Sequence, residues 1–208
     1  MRALLIVVLV AGCETGGPPD LSAQLIAHYP MDEVAAGTVA DAAGNHNGMC
    51  TVCPTVEAGK VGMAMRFDGG DQQVDIPMDK AFDSVGRGFS AAAWIRLDMA
   101  PPQLPGCAAV KGTMWSICVT PGMHPAFGSF TVETSTLTVG EWHHIAISYD
   151  FKVRRLVVDG TEVGTTPASI PTDTGQIILG GKLIGLADDI RVYGGVLTDE
   201  EIAMLVAP

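Results

Sequence analysis

The last third of the chain holds the pattern that most constrains its fold. Residues 142–149 and 154–158 are short runs typical of β-strands, and residues 162–163 resume the strand after an Asp159-Gly160 pair. Because Asp and Gly both tolerate a positive φ, this pair predicts a tight hairpin between two strands. Thr198, followed by Glu201 three residues later, predicts the capped start of one short helix over 198–206.

Short strand patterns recur along the rest of the chain, separated by turn residues such as Gly, Pro and Asp. In the regular run from Phe89 to Leu97, every second residue is apolar and shares one face. Further runs lie at residues 24–29, 62–67, 72–76, 107–111, 114–119, 127–132, 176–179 and 188–193. Many short strands with a single terminal helix predict an all-β fold of two packed antiparallel sheets.

Several segments, taken in chain order, resemble the laminin-G-like, concanavalin A-type jelly roll. They are residues 27–33, 39–48, 62–69, 74–76, 89–97, 142–150 and 188–205. The resemblance lies in their order rather than in any single motif. It implies an all-β, two-sheet antiparallel jelly-roll sandwich with one short C-terminal helix over residues 21–208, a fold that usually serves as a binding module.

The first residues predict an export signal over residues 1–12. Arg2 precedes an apolar run at residues 3–11, too short for the roughly 20-residue helix that spans a membrane. Residues 10–13 resemble a bacterial lipobox, which implies cleavage before Cys13 and lipidation of that cysteine. An ordinary signal peptide with an incidental cysteine is the alternative.

Residues 13–20 are rich in Gly and Pro and predict a flexible tether between the lipid and the domain. The protein is therefore expected to be exported and held at the cell envelope, with its lipid anchor as the only contact with the membrane. Glu14, the residue after the cysteine, favours the outer membrane by analogy with known sorting rules.

Charge limits the partners of the protein. With 12 basic and 23 acidic residues, the chain has a formal net charge of −11. Such a surface repels phosphate backbones, so nucleic acid is not an expected partner. An acidic balance is compatible with Ca²⁺ binding, and it also favours solubility.

Four of the 5 cysteines, Cys50, Cys53, Cys107 and Cys118, follow the predicted lipidation site. An even number in an exported chain predicts disulfides, and four cysteines allow three pairings. Cys107 and Cys118 flank a predicted hairpin almost symmetrically, which favours a bridge between them and leaves Cys50 and Cys53 to close a small loop. No second C-x-x-C is present to complete a zinc site.

The sequence predicts no catalytic residues. Glycan-cleaving relatives of this fold carry a strand with acidic residues at alternate positions, and that pattern is missing here. The neighbouring acids Asp188 and Asp189 are expected to point to opposite faces of a strand, as are His143 and His144. The acids at 199–201 suit the first turn of the helix.

A calcium site is the functional site that the sequence favours. Ca²⁺ takes six to eight oxygen ligands on a bent loop, and Asp41 and Asn45 flank a predicted turn at Gly44. The resemblance implies that the first and last strands are adjacent, which would bring Asp32 and Asp188 to this loop. The alternative is that these side chains only stabilise turns and backbone amides.

For a ligand, Trp115 is the candidate with an exposed aromatic ring, because it follows a predicted turn at Gly112; packing in the core is the alternative. We therefore expect a non-catalytic binding or adhesion module whose ligand is a carbohydrate or a protein. A glycan-cleaving hydrolase or lyase with an atypical acid pair, and a purely structural envelope protein, are the alternatives.

Overall fold

The computed structural model describes residue 21 and residues 23–83, 88–170 and 173–207. The predicted export signal, the tether and the lipidation site at Cys13 lie outside these residues and stay predictions. Within the described part of the chain, none of the helices has the length and apolar character needed to cross a membrane.

Sheet A has eight strands, all paired antiparallel. In spatial order, seven of them are β14 (Thr161–Pro167), β13 (Val153–Val158), β12 (Trp142–Tyr149), β7 (Phe89–Leu97), β16 (Ile184–Gly194), β5 (Met63–Asp68) and β4 (Thr55–Ala58). The eighth, β1 (Gln24–Tyr29), pairs with the second half of β16, beyond the end of β5. The first and last strands are therefore adjacent, as the resemblance implies.

Sheet B also has eight antiparallel strands. In spatial order they are β11 (Phe130–Thr131), β10 (Pro125–Phe127), β9 (Trp115–Val119), β8 (Gly106–Lys111), β15 (Ile177–Leu179), β6 (Val74–Ile76), β3 (Gly48–Met49) and β2 (Thr38–Val39). A short 3-10 helix, Lys80–Phe82, follows β6.

The two sheets pack face to face around one apolar core, which confirms the predicted sandwich. In β7, Phe89, Ala91 and the next alternate residues up to Leu97 belong to this core. Ala92 points the other way, into a second cluster beneath the C-terminal helix. The period of two that is visible in the sequence therefore decides which face of β7 is buried between the sheets.

The C-terminal helix α1 (Asp199–Val206) begins as predicted. Thr198 is its N-cap, and the Thr198 hydroxyl and Glu201 carboxylate form the reciprocal hydrogen bonds of a capping box. Ile202 and Leu205 are buried against the outer face of sheet A together with Ala92, Ala146 and Val157. The helix thus covers one half of that outer face.

Some strand boundaries differ from those expected. Residues 127–132 are not one strand, because Gly128, at φ +59°, turns the chain between β10 and β11. β14 extends to Pro167, and β16 begins before the predicted residue 188. β2, β3 and β4 have two to four residues each, too few for an alternating pattern to mark them in the sequence.

Both expected disulfides are present. Cys107 and Cys118 are directly paired across β8 and β9, and a bridge joins them. A second bridge joins Cys50 to Cys53 and closes a very small loop.

Candidate functional site

A cavity of about 700 Å³ opens where the start of β1, the end of β16 and two loops meet. Asn45 and His46 reach it from the loop after β2, and Lys80 and Asp83 reach it from the 3-10 helix after β6. Side chains from both loops that can form hydrogen bonds therefore line one opening.

Aromatic side chains form the other wall of this cavity. Phe89 and Trp115 line it with their ring centres 6.1 Å apart, and Phe82 and Tyr193 border it nearby. These four aromatic residues are at most 4% exposed, so they lie behind the cavity, while the amide, imidazole and charged groups at its rim suit a ligand with many hydroxyls.

Trp115, the candidate for an exposed ring, is buried as the packing alternative expects: only 1% of it is exposed. It begins β9, and Trp115, Ile117 and Val119 alternate into the core. That alternation is the sequence signal that indicates burial and outweighs the nearby turn at Gly112. Trp115 consequently belongs to the inner wall of the cavity rather than to an open platform.

The loop at residues 41–47 is held in place by the carboxylate of Asp41. Its oxygens accept hydrogen bonds from the backbone N–H groups of His28 (2.8 Å), Ala43 (3.0 Å) and His46 (3.1 Å). Burial alone would raise the pKa of Asp41, but these hydrogen bonds lower it below its ordinary value. Asn47 completes the brace, because its side-chain oxygen accepts from the N–H of Asp41 at 2.9 Å.

His46 is positioned by three neighbours. Its Nδ1 lies 3.3 Å from Asp41 and its Nε2 lies 3.6 Å from Asp79. Its ring meets Phe82 edge-on, with the ring centres 4.8 Å apart. The side chain therefore has a fixed orientation at the rim of the cavity before any ligand arrives.

A buried ion pair fixes the opposite rim. Lys111 is only 1% exposed, and its Nζ lies 3.3 Å from Oδ1 of Asp83. The same ammonium group donates to the carbonyl of Gly175 at 3.0 Å. This ion pair links Asp83 to β8 and so fixes the position of this rim relative to sheet B. No local sequence pattern marks Lys80 or Asp83 as site residues.

Two of the four predicted calcium ligands accept hydrogen bonds from the same turn, residues 59–63. Oδ2 of Asp188 accepts from the N–H groups of Lys60 and Val61 at 2.7 and 2.9 Å. Oδ1 of Asp32 accepts from Met63, at the other end of the same turn, at 2.7 Å. Asp41 accepts from N–H groups elsewhere, and Asn45 lines the cavity.

Asp188 and Asp189 lie where a β-bulge interrupts the alternation of β16, and Asp189 has a φ of +48°. Burial raises the pKa of Asp188 to about 6. Burial also acts on Asp189, but the hydrogen bond from His28 and the charge of Arg191 lower its pKa below the ordinary value. Hydrogen bonds from neighbouring groups of the protein thus position both carboxylates.

The neighbouring histidines His143 and His144 have different environments. His143 is held by Asp159, whose Oδ2 lies 2.8 Å from Nδ1, and its Nε2 accepts from the N–H of Thr138 at 3.0 Å. His144 is 2% exposed and meets Trp94 edge-on on the outer face of sheet A.

Among the described residues, no three His, Cys, Asp or Glu side chains converge to hold a metal ion.

The chain belongs to the concanavalin A-like lectin/glucanases superfamily, whose laminin-G-type sequence profile matches residues 68–203. This confirms the resemblance drawn from the sequence. No curated protein gives a significant match.

Solved structures share the fold. Domain 4 of AbnA, a GH43 extracellular arabinanase from Geobacillus stearothermophilus solved with arabinotriose, is 22% identical with a TM-score of 0.68, covering 88% of this chain and 98% of that one. The binding domain of Paraclostridial Mosquitocidal Protein 1 is 15% identical with a TM-score of 0.70, covering 88% and 52%. Trypanosoma rangeli sialidase is 15% identical with a TM-score of 0.64, covering 88% and 32%. The chain therefore spans about half the length of the mosquitocidal binding domain and about a third of the length of the sialidase.

Proposed function

We propose that the protein is a non-catalytic glycan-binding module of an exported, lipid-anchored protein, and that the cavity is its binding site. The observation that carries this proposal is the braced polar loop of Asn45 and His46 at the rim of a cavity that is backed by buried aromatic residues. Because Asp41 fixes that loop beforehand, little ordering entropy is lost when a ligand binds.

The fold neighbours support a glycan over other ligands. One was solved with arabinotriose, and the ligand-binding domain of botulinum neurotoxin serotype D was solved with N-acetylneuraminic acid. Export is supported by the two disulfides, which persist in oxidising compartments. The lipid anchor at Cys13 and the outer membrane remain part of the proposal.

Replacing the exposed polar residues of the cavity should weaken glycan binding without unfolding the protein. We expect Asn45→Ala and Lys80→Ala each to lower the affinity for an array-positive oligosaccharide about tenfold, since one lost hydrogen bond contributes roughly 1.4 kcal/mol. A glycan array probed with the full chain identifies the oligosaccharide, and calorimetry measures its Kd.

Lys182→Ala is the matched control, because it removes an exposed lysine beside the start of β16, whereas the end of that strand lines the cavity. Its affinity should equal that of the wild type. The proposal fails if the array shows no glycan, or if both cavity variants bind as tightly as the control. Cleavage of the bound oligosaccharide would contradict the non-catalytic part and favour the hydrolase alternative.

We further propose a structural calcium ion at the turn of residues 59–63. Oδ1 of Asp188 is buried and has no hydrogen-bond partner, so this oxygen is suited to a cation. Asp32 and the carbonyl groups of the turn would supply further oxygens. Asp41 fits less well, because N–H groups already occupy both of its oxygens.

Calcium should therefore raise the melting temperature of the full chain. At a calcium concentration ten times the Kd, the expected stabilisation is about 1.4 kcal/mol, or roughly 3–6 °C for a domain of this size. Differential scanning calorimetry with calcium against EDTA measures the shift. Asp188→Asn should abolish the shift, while Asp173→Asn, at an exposed turn, should keep it. An equal melting temperature with and without calcium would exclude the site.

A further inference from the structure

One half of the outer face of sheet A carries a group of side chains that the proposed function does not use. Helix α1 packs over Ala92 and Val157 on the other half. Beyond the edge of this cluster, Arg96 of β7 and Trp142 of β12 are directly paired, and both are partly exposed. Of the 3 tryptophans, Trp142 is the one that is not buried.

Two cations lie over two indole rings on this half of the face. The guanidinium carbon of Arg96 lies 5.6 Å from the ring centre of Trp142, and Nζ of Lys60 lies 4.8 Å from that of Trp94. Trp94 precedes Arg96 by two residues on β7, so both rings belong to the same face. We call these four residues the cation–indole patch.

In the part of the chain that the structure describes, neither cation of the patch forms an ion pair, although Glu57 lies near Arg96: the pKa of Glu57 is lowered by its hydrogen bond with Arg66 and also by the charges of Arg66 and Arg96. Among the ion pairs of the described residues, none includes Lys60 or Arg96, whereas Arg66 on the same face pairs with both Glu57 and Asp98. In a chain with 23 acidic and 12 basic residues, carboxylates are the more abundant group. The patch thus keeps two positive charges available in an otherwise acidic protein.

We propose that the cation–indole patch binds the carboxylate-bearing residue of an acidic oligosaccharide. A guanidinium stacked on an indole ring is held in one orientation, and its planar N–H groups match the two oxygens of a carboxylate. The partly exposed ring of Trp142 offers an apolar surface for the C–H groups of the sugar. Lys60 adds a second positive charge without fixed geometry.

The charge around the patch selects for a ligand with isolated carboxylates. Glu57 and Asp98 flank it, and the protein as a whole is negative, so a densely charged polymer would be repelled. A sugar acid places one negative charge on a neutral ring, which the two cations of the patch can neutralise. A sugar acid therefore fits this patch better than a polyphosphate.

The patch is a second site, separate from the cavity. Phe89 lines the cavity and Arg96 lies seven residues further along the same strand, which corresponds to roughly 23 Å. Variants of one site should leave the other unchanged, so this inference and the proposed cavity can fail independently.

The test compares acidic oligosaccharides with neutral counterparts by calorimetry on the full chain. The acids are trigalacturonate and sialyllactose, and the neutral counterparts are methyl-esterified trigalacturonate and lactose. We expect at least one acid to bind ten or more times tighter than its counterpart. Arg96→Gln should remove this preference, and Lys60→Gln should weaken acid binding about threefold.

Lys152→Gln serves as the charge-matched control and should keep the preference. Thermal unfolding of Arg96→Gln checks that the fold is intact, and Lys60→Gln gives a second test if it is not. The inference is overturned if neither acid is preferred, or if Arg96→Gln keeps the preference. Binding of phosphatidylserine vesicles that depends on Arg96, without a preference for either acid, would assign the patch to lipid headgroups instead.

Discussion

Gly180→Ala will destabilise the protein by about 3 kcal/mol or more. Gly180 follows β15 in sheet B with a φ of +85°, and a Cβ built there would lie 2.0 Å from the ring of Phe67 in sheet A. Phe67 is 1% exposed, so its ring cannot move aside without disturbing the core. Overpacking contributes about 1–3 kcal/mol, and the left-handed backbone adds about 1–2 kcal/mol.

Gly140→Ala is the matched control, since Gly140 has a φ of +81° and nothing within 4 Å of the added Cβ. It carries the same backbone strain without the clash, so we expect a loss of only about 1–2 kcal/mol. Urea unfolding of both variants gives the two free energies. Equal losses would mean that Gly180 does not mark a close approach of the two sheets.

His144 will make the stability of the protein depend on pH. Burial lowers the pKa of His144 from 6.5 to about 4, with smaller effects from Asp189, Asp159 and Arg191. Because the unfolded chain takes up the proton first, the contribution of the neutral imidazole is fully present above pH 6.5. It falls as the pH drops from 6.5 to about 4, by about 3 kcal/mol in total.

The measurement compares the wild type with His144→Gln by urea unfolding in EDTA at pH 7.0 and pH 4.5. The free-energy advantage of the wild type should shrink by about 2 kcal/mol between the two values. The comparison is needed because the raised pKa of Asp188, about 6, acts in the opposite direction in the same range. An advantage that stays constant would show that His144 is not buried in its neutral form.

Local sequence patterns predict most of the fold. The alternation in β7, the Thr198–Glu201 capping box and the near-symmetric Cys107 and Cys118 each involve residues that are close in sequence or in one hairpin. In each case, residues within one short segment are enough to determine the local structure, and the structure agrees with the prediction.

The candidate sites could not be predicted in the same way, because distant segments form them. The ion pair with Lys111 holds Asp83 at the cavity, and the cation–indole patch forms because Lys60 lies over Trp94. The bulge at Asp189 breaks the alternation that the sequence leads one to expect. Only tertiary packing determines these positions.

An amide NMR titration of the full chain with the array-positive oligosaccharide identifies which residues the glycan contacts. We expect saturable shifts at Asn45, His46 and Lys80, with the oligosaccharide recovered intact. Shifts confined to the outer face of sheet B, or the appearance of cleaved sugar, would contradict this expectation.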